Sequence, residues 1–144
     1  MGTAEIQGNL WGSRANDWAD YGEGTSDDLF DYLAGKLGNG DGKKLLDLGC
    51  GKNGFIPTGL DASENLIKIA KGQMPGYEFI KGDIEKLPFS DGLFDITCAV
   101  NSFQYAESFQ QALSEAKRVT KKDGSIIVVI WDSPEKCDAS AIFK

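Results

Sequence analysis

The 144-residue chain contains no histidine, which removes Ser-His-Asp and Cys-His triads, imidazole general bases and most transition-metal sites together. Its three cysteines, Cys50, Cys98 and Cys137, are odd in number, widely spaced and free of any C-x-x-C pair. Neither a disulfide framework nor a zinc knuckle is expected, and no bound metal. Cys50 reads as small filler rather than a nucleophile. No apolar run approaches the roughly 20 residues needed to span a bilayer, and the opening MGTAEIQGNLWG lacks the basic flank and apolar stretch of a signal peptide. The expectation is a soluble, cytoplasmic protein with no membrane partner. Positive charge is also scarce: 15 Lys and Arg stand against 22 Asp and Glu, a net charge of −7. The basic residues are scattered, so nucleic acid is not an expected partner.

What is present is the patterning of one globular domain, with 41% hydrophobic residues and a length that can bury roughly two-thirds of the unfolded surface. Strand-like and helix-like apolar periods alternate, the signature of an α/β sheet. Ser26 caps a helix with Leu29, Leu33 and Leu37 on one face and Gly38 at its end, and Lys43 to Leu48 reads as a short buried strand. A second strand is expected at Thr58 to Asp61. Ser63 then caps a helix whose Leu66, Ile69 and Ala70 face inward, and Met74-Pro75-Gly76 stops it. Tyr77 to Ile80 and Leu93 to Val100 give the third and fourth strands, the latter apolar enough to be covered on both faces. Phe109, Ala112, Leu113 and Ala116 form a helical stripe, and Asp123-Gly124 turns the chain into a fifth strand, Ser125 to Trp131. Strands alternating with helices imply a mostly parallel, doubly wound sheet whose ligands sit beyond the carboxyl ends of the strands.

Candidate chemistry lies at those ends. Leu45 to Gly51 (LLDLGCG) closes a strand in a glycine turn, where missing β-carbons let backbone amides approach a ligand. A tight turn that binds nothing is the alternative. Gly59-Leu60-Asp61 places a carboxylate after the second strand, where it can accept both hydroxyls of a ribose, although Asp61 also suits a solvated strand end. Gly82-Asp83-Ile84 follows the third strand, with a local turn cap as the alternative for Asp83. Asn101-Ser102 follows the fourth.

With these four features in order, the chain resembles the class I S-adenosylmethionine-dependent methyltransferases, particularly the small-molecule branch of ubiquinone and menaquinone biosynthesis. The resemblance runs from about Trp11 to Trp131 and includes LLDLGCG, GLDAS, KGDIEKLPFSDGLFDI (81–96) and AKRVTKKDGSIIVVIW (116–131). It implies a Rossmann-like fold, S-adenosylmethionine as cofactor, and methyl transfer to a small-molecule acceptor. By the same resemblance Gly49, Cys50 and Gly51 hold the methionine moiety with Asp47 beneath it. Asp61, with Ala62 beside it, binds the ribose, Asp83 and Ile84 frame the adenine, and Asn101 faces the methionine amino group. Residues 1–144 are then one cofactor-binding domain, and residues 1–25 a candidate lid. Trp11, Arg14, Trp18 and Tyr21 are spaced to share one face of a short helix. Core packing is one reading of that stripe. The other is a lid in which Arg14 meets the cofactor carboxylate and a ring such as Trp18 covers the sulfonium. No catalytic base is assigned, and only Gln104 or Tyr105 is noted as facing the acceptor. Two other readings are a degenerate fold that only binds a nucleoside-type ligand or a protein partner, and a nicotinamide-dependent dehydrogenase.

Three departures from the family pattern accompany the match. The third glycine of G-x-G-x-G is displaced to Gly54. Only nine residues, Gly49 to Pro57, separate the first two strands, whereas a parallel crossover normally takes a dozen or more with its helix. The first crossover helix is therefore expected to be absent, or residues to be missing, which an over-long Cα step between Gly51 and Gly59 would reveal. The last strands of the family fold are also absent after Trp131, so a truncated chain with an unprotected sheet edge is expected. Gly49→Val is predicted to abolish cofactor binding in calorimetry, because a β-branched side chain fills the space the backbone needs to approach the ligand. Retained affinity would make the turn merely structural.

Overall fold

The computed structural model describes residues 3–22, 27–48, 56–133 and 136. Five strands, β1 (Lys44–Leu48), β2 (Ile56–Asp61), β3 (Glu78–Lys81), β4 (Phe94–Val100) and β5 (Thr120–Val129), form one sheet in the order β3-β2-β1-β4-β5. Every adjacent pair is parallel. This is the expected doubly wound arrangement. The glycine turn, Gly49 to Gly51, and the rest of the first connection to residue 55 lie outside the described residues, and so does the place where an over-long step was expected. On either side of it, Lys44 pairs with Ile56 and Asp47 with Gly59 in parallel register. The second strand begins at Ile56 rather than Thr58. Pairing of β2 with β3 starts only at Thr58, so Pro57 sits where one neighbour is absent and its missing N–H disturbs a single ladder.

Alternate residues of the central strands feed opposite faces. Leu46, Leu48 and Ala99 join Ala112, Ala116 and Val119 of helix α5 (Phe109–Val119), while Cys98 and Val100 pack with Leu33 of helix α3 (Asp27–Leu37). Within α5 the expected stripe is corrected: Phe109 and Leu113 are exposed, and the sheet-facing row is Ala112, Ala116 and Val119. Small residues let this helix lie close to the strands, and Phe109 instead meets Phe103 edge-to-face at 5.6 Å. Helix α4 (Glu64–Gln73) begins as expected, with Ser63 Oγ accepting the Leu66 N–H at 3.2 Å. Its fully buried residue is Ile67, whereas Leu66, Ile69 and Ala70 are only partly covered.

The fifth strand also differs from expectation. It starts directly after α5 at Thr120, and Phe94 pairs with Thr120 but Ile96 with Ser125. Asp123-Gly124 is therefore part of a bulge inside the strand rather than a turn before it. A β-carbon at Gly124 would stand 2.7 Å from the Asp95 carbonyl oxygen, so the bulge folds back too tightly for any other residue. The strand ends at Val129, leaving Ile130 and Trp131 beyond it and exposed. At the amino terminus, one shared helical face gives way to three pieces: α1 (Thr3–Ser13), a turn of helix α2 (Ala15–Asp17) and a π-helical turn (Trp18–Gly22). The break falls at Arg14, whose backbone leaves the helical region at φ −119° and ψ 17°. No helix among the described residues is long and apolar enough to cross a membrane.

The loop between β3 and β4 is fastened to α5 by one guanidinium. Arg118 donates to both Glu115 carboxylate oxygens at 2.8 and 2.7 Å, to the Leu87 and Phe89 carbonyls at 2.9 and 2.7 Å, and to Asp91 at 2.8 Å. Glu115 in turn accepts the Leu87 N–H. The Arg118 side chain is one-third exposed (32%), so the clamp is worth less than a fully buried pair. Arg118→Met should destabilise the protein by about 2 kcal/mol in denaturant titration, since several partners lose their donor at once. Arg118 holds the Glu115 carboxyl below its ordinary value of 4.5. The clamp's stability is therefore present above that pH, and the difference between variant and parent should shrink as the pH falls through and below it.

Candidate functional site

Four strand ends and the amino-terminal segment enclose a cavity of about 230 Å³. At the end of β2, Asp61 Oδ1 accepts the Ser63 N–H at 2.6 Å, so the helix cap that starts α4 also orients this carboxylate. Burial pushes the Asp61 carboxyl above its ordinary value, and the Ser63 hydrogen bond only partly offsets the shift. The Gly82 N–H donates to the Asp61 carbonyl at 2.9 Å, tying the ends of β2 and β3 together. Asp83 then forms a local turn, its Oδ1 accepting the Glu85 N–H at 2.8 Å and its carbonyl the Lys86 N–H at 3.0 Å. The turn-cap reading of Asp83 thus holds, and the residue lines the cavity as well.

After β4, Asn101 adopts φ 49°, among the described residues the one non-glycine in the left-handed region, and its N–H donates to the Val129 carbonyl at 2.8 Å. Asparagine tolerates this conformation better than most residues, and the bend sends the chain across the cavity floor. Next to it, Ser102 Oγ is buried with no hydrogen-bond partner among the described residues. Helix α1 forms the cover. It docks through Gly8, where a β-carbon would stand 2.5 Å from the Ala62 carbonyl oxygen, and Asn65 Nδ2 donates to the Gly12 carbonyl at 2.9 Å. Trp11 and Trp18 meet edge-to-face at 5.5 Å in the cavity wall.

The structure thus gathers Asp61, Ala62, Asp83, Ile84, Asn101 and Trp18 around one space. Asp47 is buried within β1, between Gly59 and Cys98 of the flanking strands, one residue before the lining Leu48. Arg14 is a correction. Its side chain is 78% exposed and pairs with Asp17 at 3.1 Å, because the helix break turns it away from the cavity. Gly49, Cys50 and Gly51 lie outside the described residues, as does the side chain of Tyr21. Of the two residues noted for the acceptor, Tyr105 lines the cavity and Gln104 is exposed. Ser102, noted with Asn101 after the fourth strand, lines it too, and so do Phe30 and Trp131, which had not been singled out for the site. A large aromatic directly after the last strand was the available signal for Trp131.

The fold and this site have counterparts among known proteins. A family model described as a methyltransferase domain matches residues 36–128. The chain belongs to the methyltransferase domain family. Among its relatives, the malonyl-[acyl-carrier protein] O-methyltransferase of Buchnera aphidicola is 34% identical over 92 residues, covering 58% of this chain and 37% of that protein. The phthiotriol/phenolphthiotriol dimycocerosates methyltransferase of Mycobacterium tuberculosis is 33% identical over 96 residues, covering 58% of this chain and 36% of that protein. The chain therefore spans little more than a third of the length of these relatives. A crystal structure of a SAM-dependent methyltransferase from Thermotoga maritima superposes with a TM-score of 0.71 at 24% identity, covering 94% of this chain and 66% of that one, a likeness of fold. Membership implies S-adenosylmethionine as the cofactor. The cavity fits that group: Asp61 and Asp83 offer acceptors for hydroxyl and amino groups, and Ile84 and Leu60 an apolar wall.

The desolvated Asp61 carboxylate makes a stability prediction. A raised folded-state value means the folded protein binds this proton more tightly than the unfolded chain, so the penalty is complete above the folded value and absent below the ordinary 3.8. Asp61→Asn keeps an oxygen for the Ser63 N–H and removes the charge. Thermal unfolding of the ligand-free variant should occur at a higher Tm than the parent at neutral pH, the gap closing as the pH is lowered towards 3.8. A lower Tm at neutral pH would show that burial does not disfavour the charge.

Proposed function

We propose that this chain is the cofactor-binding core of an enzyme that transfers a methyl group from S-adenosylmethionine to a small-molecule acceptor. The observation that carries the reading is the convergence of Asp61, Asp83 and Asn101, from three successive strand ends, on one covered cavity in a chain of the methyltransferase domain family. Asp61 accepts the ribose hydroxyls, a charge-assisted pair of bonds that its half-buried position strengthens. Asp83 and Ile84 border the adenine, and Gly49 to Gly51 with Asn101 take the methionine end. Residues 1–25 serve as the lid, with Trp18 over the reacting centre. Held by these residues, the cofactor would supply an activated methyl group for displacement by the acceptor. The protein's share is alignment and exclusion of water, for which imidazole is not required. The quinone-biosynthesis branch rests on the sequence motifs alone.

The dehydrogenase reading is not favoured, because the matching family is a methyltransferase domain. Thermal shift with S-adenosylhomocysteine and with NAD tests the proposal. S-adenosylhomocysteine at a hundredfold excess over its Kd should add about 2.7 kcal/mol of stability, and NAD none. A shift with NAD alone would overturn the reading, and no shift with either would favour a fold that has lost the cofactor.

A further inference from the structure

Rings make up much of the wall of the same cavity. Trp11 meets Trp18 at 5.5 Å and Tyr105 at 5.6 Å, both edge-to-face, and Phe30 and Trp131 line the same space. These five aromatics come from α1, the π-helical turn, α3, the 3-10 turn after β4 (Phe103–Tyr105) and the segment after β5. Trp131 lines the cavity and is 56% exposed, so part of its surface is free to meet a ligand. Among the described residues, the charged side chains lining the cavity are Asp61, Asp83 and Glu85, all acidic. Glu85 is already committed, its two oxygens accepting the Ser108 and Glu107 N–H groups at 2.9 Å each. No lysine or arginine stands in the described wall to compensate a bound anion, and Arg14 is turned outward onto Asp17.

Resting on the methyl-transfer reading, we infer that this ring-lined cavity takes an uncharged, planar, apolar acceptor beside the cofactor and rejects an acidic one, with Trp131 as a specificity-determining residue. An acceptor carboxylate placed there gives up its water and meets no cation among the described residues of the wall. A flat apolar acceptor exchanges water for ring edges and faces. The site so described differs in chemistry from one for a malonyl group, whose free carboxylate would be stranded in it.

Calorimetry on the full chain tests this with two probes that share one ring system, a naphthol and the naphthoate substituted at the same position, each titrated with S-adenosylhomocysteine at saturation. The naphthol should bind at least about tenfold more tightly than the naphthoate. Trp131→Ala should weaken naphthol binding by about fivefold or more while leaving S-adenosylhomocysteine affinity within about twofold. Equal or tighter binding of the naphthoate would overturn the inference. So would failure of the naphthol to bind while S-adenosylhomocysteine binds, or an unchanged naphthol affinity in Trp131→Ala. Naphthol preference with no S-adenosylhomocysteine binding would sustain the ring-walled site and count instead against the methyl-transfer reading.

Discussion

Because β1 lies between β2 and β4 and runs parallel to both, the chain must leave its carboxyl end in one direction to build β2 and β3 and return on the other side to build β4 and β5. That reversal opens the crevice in which the candidate site lies. Both neighbours of β1 present their carboxyl ends beside Leu48, so Asp61 from one side and Asn101 from the other arrive at the same cavity. The core obeys the same constraint. With Leu46 and Leu48 on one face and Leu45 on the other, the central strand is buried on both sides and has no room for a shift of register.

Local devices convert this frame into a site. Asp61 is aimed by the amide of Ser63, Ser63 caps the helix that follows, and that cap lies under the close approach of α1 at Gly8 and Gly12. Cover, carboxylate and helix start are therefore one mechanical unit. Asp83 has a similar double use, shaping its own turn while lining the cavity. On the far side, Glu85 accepts the amides of Glu107 and Ser108 at the start of α5, and Arg118 fastens the end of the same loop to that helix. The loop from 82 to 91 is thus held at both ends, which fixes the wall formed by Asp83 and Ile84. Asp61 carries a cost of its own, since partial burial disfavours its charge.

Much of this was legible in the chain itself. Alternating periods, the serine cap at Ser63, the stop at Met74-Pro75-Gly76 and the parallel order of the sheet all follow from local rules: propensity, capping and the need to bury both faces of an apolar strand. The strand-end positions of Asp61, Asp83 and Asn101 follow from topology, since a parallel sheet delivers the residue after each strand to the same edge. The absence of histidine and the acidic balance narrowed the chemistry before any fold was considered.

Other features were decided only in three dimensions. Spacing put Arg14 on a face with Trp11 and Trp18, but a backbone break at that residue turned it to solvent while the two tryptophans still met. Periodicity put Phe109 and Leu113 towards the core, but the sheet accepted the smaller Ala112 and Ala116, because close approach of helix and strands favours short side chains. Asp123-Gly124 looked like a turn by composition, and the Asp95 carbonyl made it a bulge within a strand. The ring wall of Trp11, Trp18, Phe30, Tyr105 and Trp131 spans the sequence from one end to the other. What the sequence by itself determined was the order of strands and helices and the polar groups at their ends, because these depend on neighbours a few residues away. Which aromatics face one another across the cavity, and which charges are left outside it, depended on contacts between residues far apart, and only the packed tertiary structure decided them.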